Sequence, residues 1–124
     1  MAIAISDESS RLNWNDARNA CKNKTTKFDG VECGWMFPTK ADWEDLFKAN
    51  GGKVNSGKRL NALITKAGGT ALDTEWYYWT DTDGTNNDSK RKILLESNGT
   101  VDYFTTGSDK SSQLLVRAFL WWNN

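Results

Sequence analysis

Gly34-Trp35-Met36-Phe37-Pro38-Thr39-Lys40-Ala41-Asp42-Trp43-Glu44-Asp45-Leu46 decides whether this chain is purely helical or mixed. Pro38 precedes Thr39, and Thr39 opens a helix. Its hydroxyl is placed to accept the N–H three residues on, and Asp42 stands where a capping box usually carries Glu. Trp43, Leu46 and Phe47 then share one helical face, and Asn50-Gly51-Gly52 ends the element. A helix with one apolar face needs a further layer to bury it against.

Upstream, Asn13 is a second N-cap, with Asp16 in the first turn and Trp14, Ala17 and Cys21 on one face of a helix ending near Asn23. Downstream, Leu60, Leu63, Ile64 and Ala67 recur at helical spacing before Gly68-Gly69. Residues 13 to 67 therefore read mainly helical, and 76 to 122 mainly as strands. Trp76 to Thr80 is an aromatic strand, and its consecutive aromatics Trp76, Tyr77, Tyr78 and Trp79 must alternate between faces, one pair toward the core. Lys90 to Ser97 and Thr100 to Thr106 form a hairpin around Asn98-Gly99. A two-residue turn there sets Ser97 opposite Thr100, Leu94 opposite Tyr103 and Ile93 opposite Phe104. Gln113 to Trp122 is apolar on both faces, as a central strand is, and the apolar Ala2 to Ile5 is its natural neighbour, which would bring the termini side by side. Of Trp121 and Trp122, one is expected to cover the sheet and the other its edge.

The length of 124 residues suits one domain, residues 1 to 124, with a core large enough to fold unaided. Seven tryptophans, five phenylalanines and three tyrosines exclude a disordered chain. Sixteen basic residues cancel sixteen acidic ones, which disfavours a nucleic-acid partner. The apolar Met1 to Ile5 is too short for a signal peptide or a membrane span, so no membrane insertion is expected. Cys21 and Cys33 lie twelve positions apart and are either a disulfide or two buried thiols.

Leu12-Asn13-Trp14-Asn15-Asp16-Ala17, Cys21, the 34–46 run, Tyr78-Trp79-Thr80-Asp81-Thr82 and Val116-Arg117-Ala118-Phe119 occur in an order that resembles bacterial C-type-lectin-like domains. The similarity is to the C-terminal domains of Legionella collagen-like adhesins and to the Fibrobacter major paralogous domains, over residues 2 to 121. It implies an α+β fold, C-type-lectin-like, with two main helices packed on a twisted antiparallel sheet and the N- and C-terminal strands paired. It also implies a binding role in adhesion or receptor recognition, at a bacterial or phage surface or in secretion. Met36 replaces the basic or His residue usual after the tryptophan, and Thr80-Asp81-Thr82 replaces T-S-T. The E-P-N loop of the calcium-dependent animal lectins is missing, and Trp14-Asn15-Asp16 lies in the first helix rather than in a late strand.

The chain has no histidine, and no nucleophile elbow, phosphate-binding loop or zinc spacing, so no enzyme is expected. Asp81-Thr82-Asp83-Gly84-Thr85-Asn86-Asn87-Asp88-Ser89 is the most polar stretch. Its oxygen donors would suit calcium through Asp81, Asp83 and Asp88, although Gly84 is too early for an EF-hand loop, and the same residues serve an ordinary solvated turn. No cofactor is required. Aromatics beside such a loop favour a glycan or protein receptor, contacted by Trp76, Tyr78, Asp81, Asp83, Asn86, Asn87 and Asp88. The alternatives are a hypervariable receptor-binding protein of a diversity-generating retroelement, or a structural subunit of a surface or virion assembly.

Overall fold

A computed structural model describes residues 2–8, 10–28, 30–50, 56–85 and 89–120, with the side chains at 27, 28, 31–33, 105 and 106 outside that description. In chain order the elements are β1 (Ala2–Ile3), α1 (Trp14–Asn23), β2 (Thr25–Phe28), β3 (Val31–Gly34), α2 (Lys40–Ala49), α3 (Ser56–Lys66), β4 (Tyr78–Asp83), β5 (Ser89–Leu95), β6 (Val101–Asp109) and β7 (Phe119–Leu120). The fold is α+β. Its strands form antiparallel pairs β1–β7 and β2–β3 and an antiparallel sheet in the order β4-β5-β6.

Both N-caps form as the sequence predicts. The Asp16 N–H donates to Asn13 Oδ1 at 2.9 Å. At α2 the box is reciprocal: the Asp42 N–H donates to Thr39 Oγ1 at 3.1 Å and the Thr39 N–H to Asp42 Oδ2 at 2.9 Å. Trp43, Leu46 and Phe47 are buried from α2, and Trp14, Ala17 and Cys21 from α1. In α3 the buried face is Ser56, Gly57, Leu60 and Ile64, whereas Leu63 is 57% exposed and Ala67 is exposed as well. Two of the four expected positions thus fall outside the buried stripe, and Ala67 follows the last residue of the helix.

The helical reading of 13 to 67 missed the β2–β3 hairpin, which pairs Thr25 with Gly34 and Phe28 with Val31. In the sequence the Asp-Gly dipeptide between Phe28 and Val31 carried that signal. The β5–β6 hairpin forms one residue out of the expected register, with Ile93 opposite Tyr103, Leu94 opposite Asp102 and Leu95 opposite Val101. Its turn explains the shift. The Gly99 N–H donates to Glu96 O at 2.9 Å and the Glu96 N–H to Thr100 O at 2.8 Å, so Ser97-Asn98-Gly99 is a three-residue loop. Gly99 takes the left-handed position that such a loop requires, at φ 92°. Tyr103 and Ile93 thus face the core, and Phe104 faces outward opposite Lys92.

β4 begins at Tyr78, two residues later than expected, and Tyr78, Trp79 and Thr80 are all buried. The split between core and surface aromatics therefore follows the strand boundary, with Trp76 outside, rather than the alternation of a half-exposed strand. One neighbour of β4 is the segment 112–120. It is as buried as expected but is not one continuous strand. Its backbone bonds go in turn to Leu12 from Leu114, to Tyr77 and Trp79 from Leu115, to Glu8 from Val116, to Ala4 from Ala118 and to Met36 from Phe119. The Tyr78–Leu115 bridge is parallel. β7 pairs Ala2 with Leu120 and Ile3 with Phe119, so the terminal strands do meet. Trp121 and Trp122 lie outside the described residues.

This ribbon separates two clusters. On one side Trp43 is fully enclosed among Phe119 at 4.7 Å, Tyr78 at 5.5 Å and Phe47 at 6.0 Å between ring centres, with Leu60, Ile93 and Leu95 around them. On the other, Trp14, Cys21, Phe37 and Trp79 pack on Leu114, Val116 and Ala118. Arg117, in the middle of the ribbon, is buried. Its Nε donates to Asp7 Oδ1 at 2.7 Å, its Nη1 to Ala4 O at 3.1 Å and Thr70 O at 2.9 Å, and its Nη2 to Ala71 O at 3.4 Å.

Replacing Arg117 with Ala should cost about 3–5 kcal/mol in urea unfolding, the range for removing one partner of a buried ion pair. Gly107, at φ 70°, sits in the bulge of β6, and a Cβ there would meet the backbone of Lys90. Gly107→Ala is expected to lower stability by about 1–3 kcal/mol, read as an earlier denaturation midpoint with an unchanged slope.

Candidate functional site

Trp76 and Asp83 were expected in one site, yet Trp76 precedes β4 by two residues and Asp83 is the last residue of the strand. Each end has its own surroundings.

At the far end the Lys90 ammonium donates to Asp83 Oδ1 at 2.6 Å and lies 4.0 Å from Asp81. This lysine holds the exposed Asp83 carboxyl below its usual range, by hydrogen bond first and charge second. The Arg91 Nε donates to the Asp83 carbonyl at 3.1 Å, and the Gly84 N–H to Ser89 O at 3.0 Å, closing the base of the loop. Asn86, Asn87 and Asp88 lie outside the described residues. Among the described residues no three His, Cys, Asp or Glu side chains converge on one point. The counter-charge that Asp81 and Asp83 share is Lys90, which a calcium ion would have to displace.

Lys90 also lies 4.3 Å above the Trp14 ring, with Lys110 at 5.0 Å and Arg18 at 5.9 Å. The indole is buried and fixed by its Nε1–H, which donates to Thr80 O at 3.1 Å. Three cations around one tryptophan make this end a compact basic cluster on an aromatic base. The local sequence marks Trp14 only as a core residue, because Lys90 and Lys110 reach it from distant strands.

Tyr78, expected among the ligand contacts, is fully buried and has no surface to offer. Its hydroxyl donates to the Asp7 carboxylate, 2.8 and 3.0 Å from the two oxygens, and accepts the Asp73 N–H at 2.9 Å. Burial, then the Asp7 charge, pushes its pKa up. Its role is structural.

Trp76 is 39% exposed. The indole is nevertheless held: its Nε1–H donates to Gln113 O at 3.3 Å, and the Arg11 guanidinium lies 4.5 Å from the ring centre. Arg11, Asp73, Glu75, Trp76 and Leu115 line a cleft of about 350 Å³. Asp73 Oδ1 accepts the Glu75 N–H at 2.7 Å, which orients that wall. The aromatic surface continues across the sheet: Tyr77 meets Phe104 edge-on at 5.4 Å, and Lys92 lies 4.2 Å over Tyr77 while donating to Ser108 Oγ at 2.8 Å. Trp76 was legible in the run of four aromatics. Arg11, Lys92 and Phe104 were not, and for Phe104 the outward orientation follows from the three-residue loop.

Cys21 is a free thiol, fully buried on α1, and the side chain of Cys33 lies outside the described residues. Burial, with Glu8 adding to it, pushes the Cys21 pKa up to about 12. Burial, then the Glu44 charge, raises Tyr103 to about 12 also. Both groups bind their protons more tightly when folded. Their contribution is complete below the unfolded values, near pH 9 for the thiol and 10 for the phenol, and is lost as pH rises towards 12. The melting temperature should therefore hold steady from neutral pH to about 9 and fall above it. In a Cys33→Ser variant the remaining thiol should resist an aromatic disulfide reagent until denaturant is added. Rapid labelling of the native variant would contradict the burial of Cys21.

What the geometry offers is two charged aromatic surfaces, one at each end of a buried strand. No protein-family model, curated protein or solved structure matches the chain.

Proposed function

We propose that this chain is a non-enzymatic recognition module of C-type-lectin-like architecture that contacts a glycan or protein receptor through the Arg11–Trp76 cleft. The architecture is supported by the paired terminal strands, the two reciprocally placed capped helices and the buried ribbon beside β4, in the order that the sequence motifs imply.

One observation carries the binding surface. Trp76 is a large aromatic left exposed yet immobilised by Gln113 and Arg11. A ring fixed before binding loses little conformational entropy when a partner covers it, and such rings anchor interfaces. Asp73 and Glu75 supply acceptors at the rim and Arg11 a donor, so the cleft suits a partner with hydroxyl or amide groups around an apolar face. The Asp81–Asp83 end, neutralised by Lys90, belongs to a different surface.

The test is a glycan array and a panel of purified surface proteins, each probed with the wild-type chain and then, for the strongest hit, with Trp76→Ala and Asp83→Asn. Trp76→Ala should weaken binding by about 2 kcal/mol or more, the mark of an interface anchor, and Asp83→Asn should leave it unchanged. Equal binding by Trp76→Ala, or loss only in Asp83→Asn, would move the contact surface away from the cleft.

A further inference from the structure

We infer that the groove between α1 and the 35–39 connection is a second, separate site, which binds a small organic anion with a flat aromatic body. The groove has a volume of about 380 Å³, within the range of small-molecule pockets. Arg18 and Lys22 supply its positive wall, Trp35, Met36 and Phe37 an apolar floor, and Thr39 and Asp81 complete the lining.

The positive wall has no internal counter-charge. Arg18 and Lys22 stand one turn apart on the exposed face of α1, and among the described residues neither is in an ion pair. The ion-paired cations among the described residues are Lys24 with Glu8, Lys40 with Glu44, Lys90 with Asp81 and Asp83, and Arg117 with Asp7, whereas Arg18 lies 5.9 Å from the Trp14 ring. Lys22 in the last turn partly answers the carbonyls at the helix C-terminus, which leaves the Arg18 guanidinium as the main unsatisfied charge. Asp81 opposes an anion, but Lys90 lies 4.0 Å from its carboxylate and offsets it. The balance of the lining is positive.

The floor is apolar and fixed in place. The Trp35 Nε1–H donates to Thr26 Oγ1 at 2.8 Å, so the half-buried indole cannot turn freely. The connection is tied by its backbone: the Met36 N–H donates to Phe119 O at 2.8 Å, the Trp35 N–H to Lys24 O at 3.2 Å and the Asp81 N–H to Pro38 O at 2.8 Å. Phe37 rests on Trp14 at 5.8 Å. A planar guanidinium beside an aromatic and thioether floor pairs with a carboxylate in two-point fashion while the ligand ring covers the floor.

Three probes that share one ring separate charge from shape: indole-3-acetate, neutral indole-3-acetamide and cationic tryptamine, each titrated against the intact chain by calorimetry. The acetate should bind roughly tenfold more tightly than the amide, a difference of about 1.4 kcal/mol, and tryptamine more weakly still. Arg18→Gln and Lys22→Gln, both on an exposed helix face, should reduce acetate binding several-fold, and Asp81→Asn should strengthen it. Trp35→Ala should abolish it, while Trp76→Ala should leave it untouched, which keeps this site distinct from the recognition cleft. No heat with the acetate up to its solubility, equal affinity for the amide, or indifference to both Arg18→Gln and Lys22→Gln would each overturn the inference.

Discussion

The buried contact between Arg117 and Asp7 is the constraint on which most of the remaining arrangement depends. A guanidinium with no exposed surface must be compensated on every donor it turns inward, because its desolvation exceeds what one carboxylate returns. Here the compensation comes from Asp7, Ala4, Thr70 and Ala71 together, and Asp7 in turn accepts the Tyr78 hydroxyl. Three stretches far apart in sequence, 4–7, 70–78 and the ribbon at 117, are thereby held in one geometry. Within the second, 70–73 leads directly into the cleft, where the Asp73 N–H donates to Tyr78 and the Asp73 carboxylate orients Glu75. The surface around Trp76 is thus tied, through Asp73 and Tyr78, to the buried Arg117–Asp7 pair.

The same ribbon divides the hydrophobic interior. Phe119 serves the cluster around Trp43, while Leu114, Val116 and Ala118 serve the one around Trp14 and Trp79. A segment with apolar partners on both sides has no polar face, which is why its one charged residue must be so fully bonded. Among the described residues the Trp43 indole N–H has no hydrogen-bond partner, at a cost of about 1–3 kcal/mol. Three neighbouring rings at 4.7 to 6.0 Å repay it through packing, and the edge-on Phe119 contact is the closest of them.

Features that depend on a few neighbouring residues were legible in the sequence. Asn13 and Thr39 cap helices because capping uses atoms three residues away, and the pairing of the terminal strands followed from an apolar stub that needed cover. Features decided by distant atoms were not. The register of the β5–β6 hairpin turned on whether Gly99 closes a two- or three-residue loop, and the Asn-Gly dipeptide is compatible with both. Arg117 looked like one polar position in an apolar strand, and nothing local names Asp7 as its partner. At the candidate site the aromatic run pointed to Trp76 but also to Tyr78, since alternation cannot reveal that a second layer covers the outer face of the strand.

That second layer governs where recognition chemistry can sit. With Tyr78, Trp79 and Thr80 all enclosed, the middle of β4 is closed to any ligand, and reactive or sticky groups reach solvent only where the strand begins and ends. The two ends then differ in kind. Around Trp76 one arginine faces two carboxylates across a cleft, whereas near Asp81 the positive charges of Lys90, Arg18, Lys22 and Lys110 collect around Trp14 and the 35–39 groove. The two surfaces share none of their lining residues, so a substitution at one leaves the side chains of the other in place.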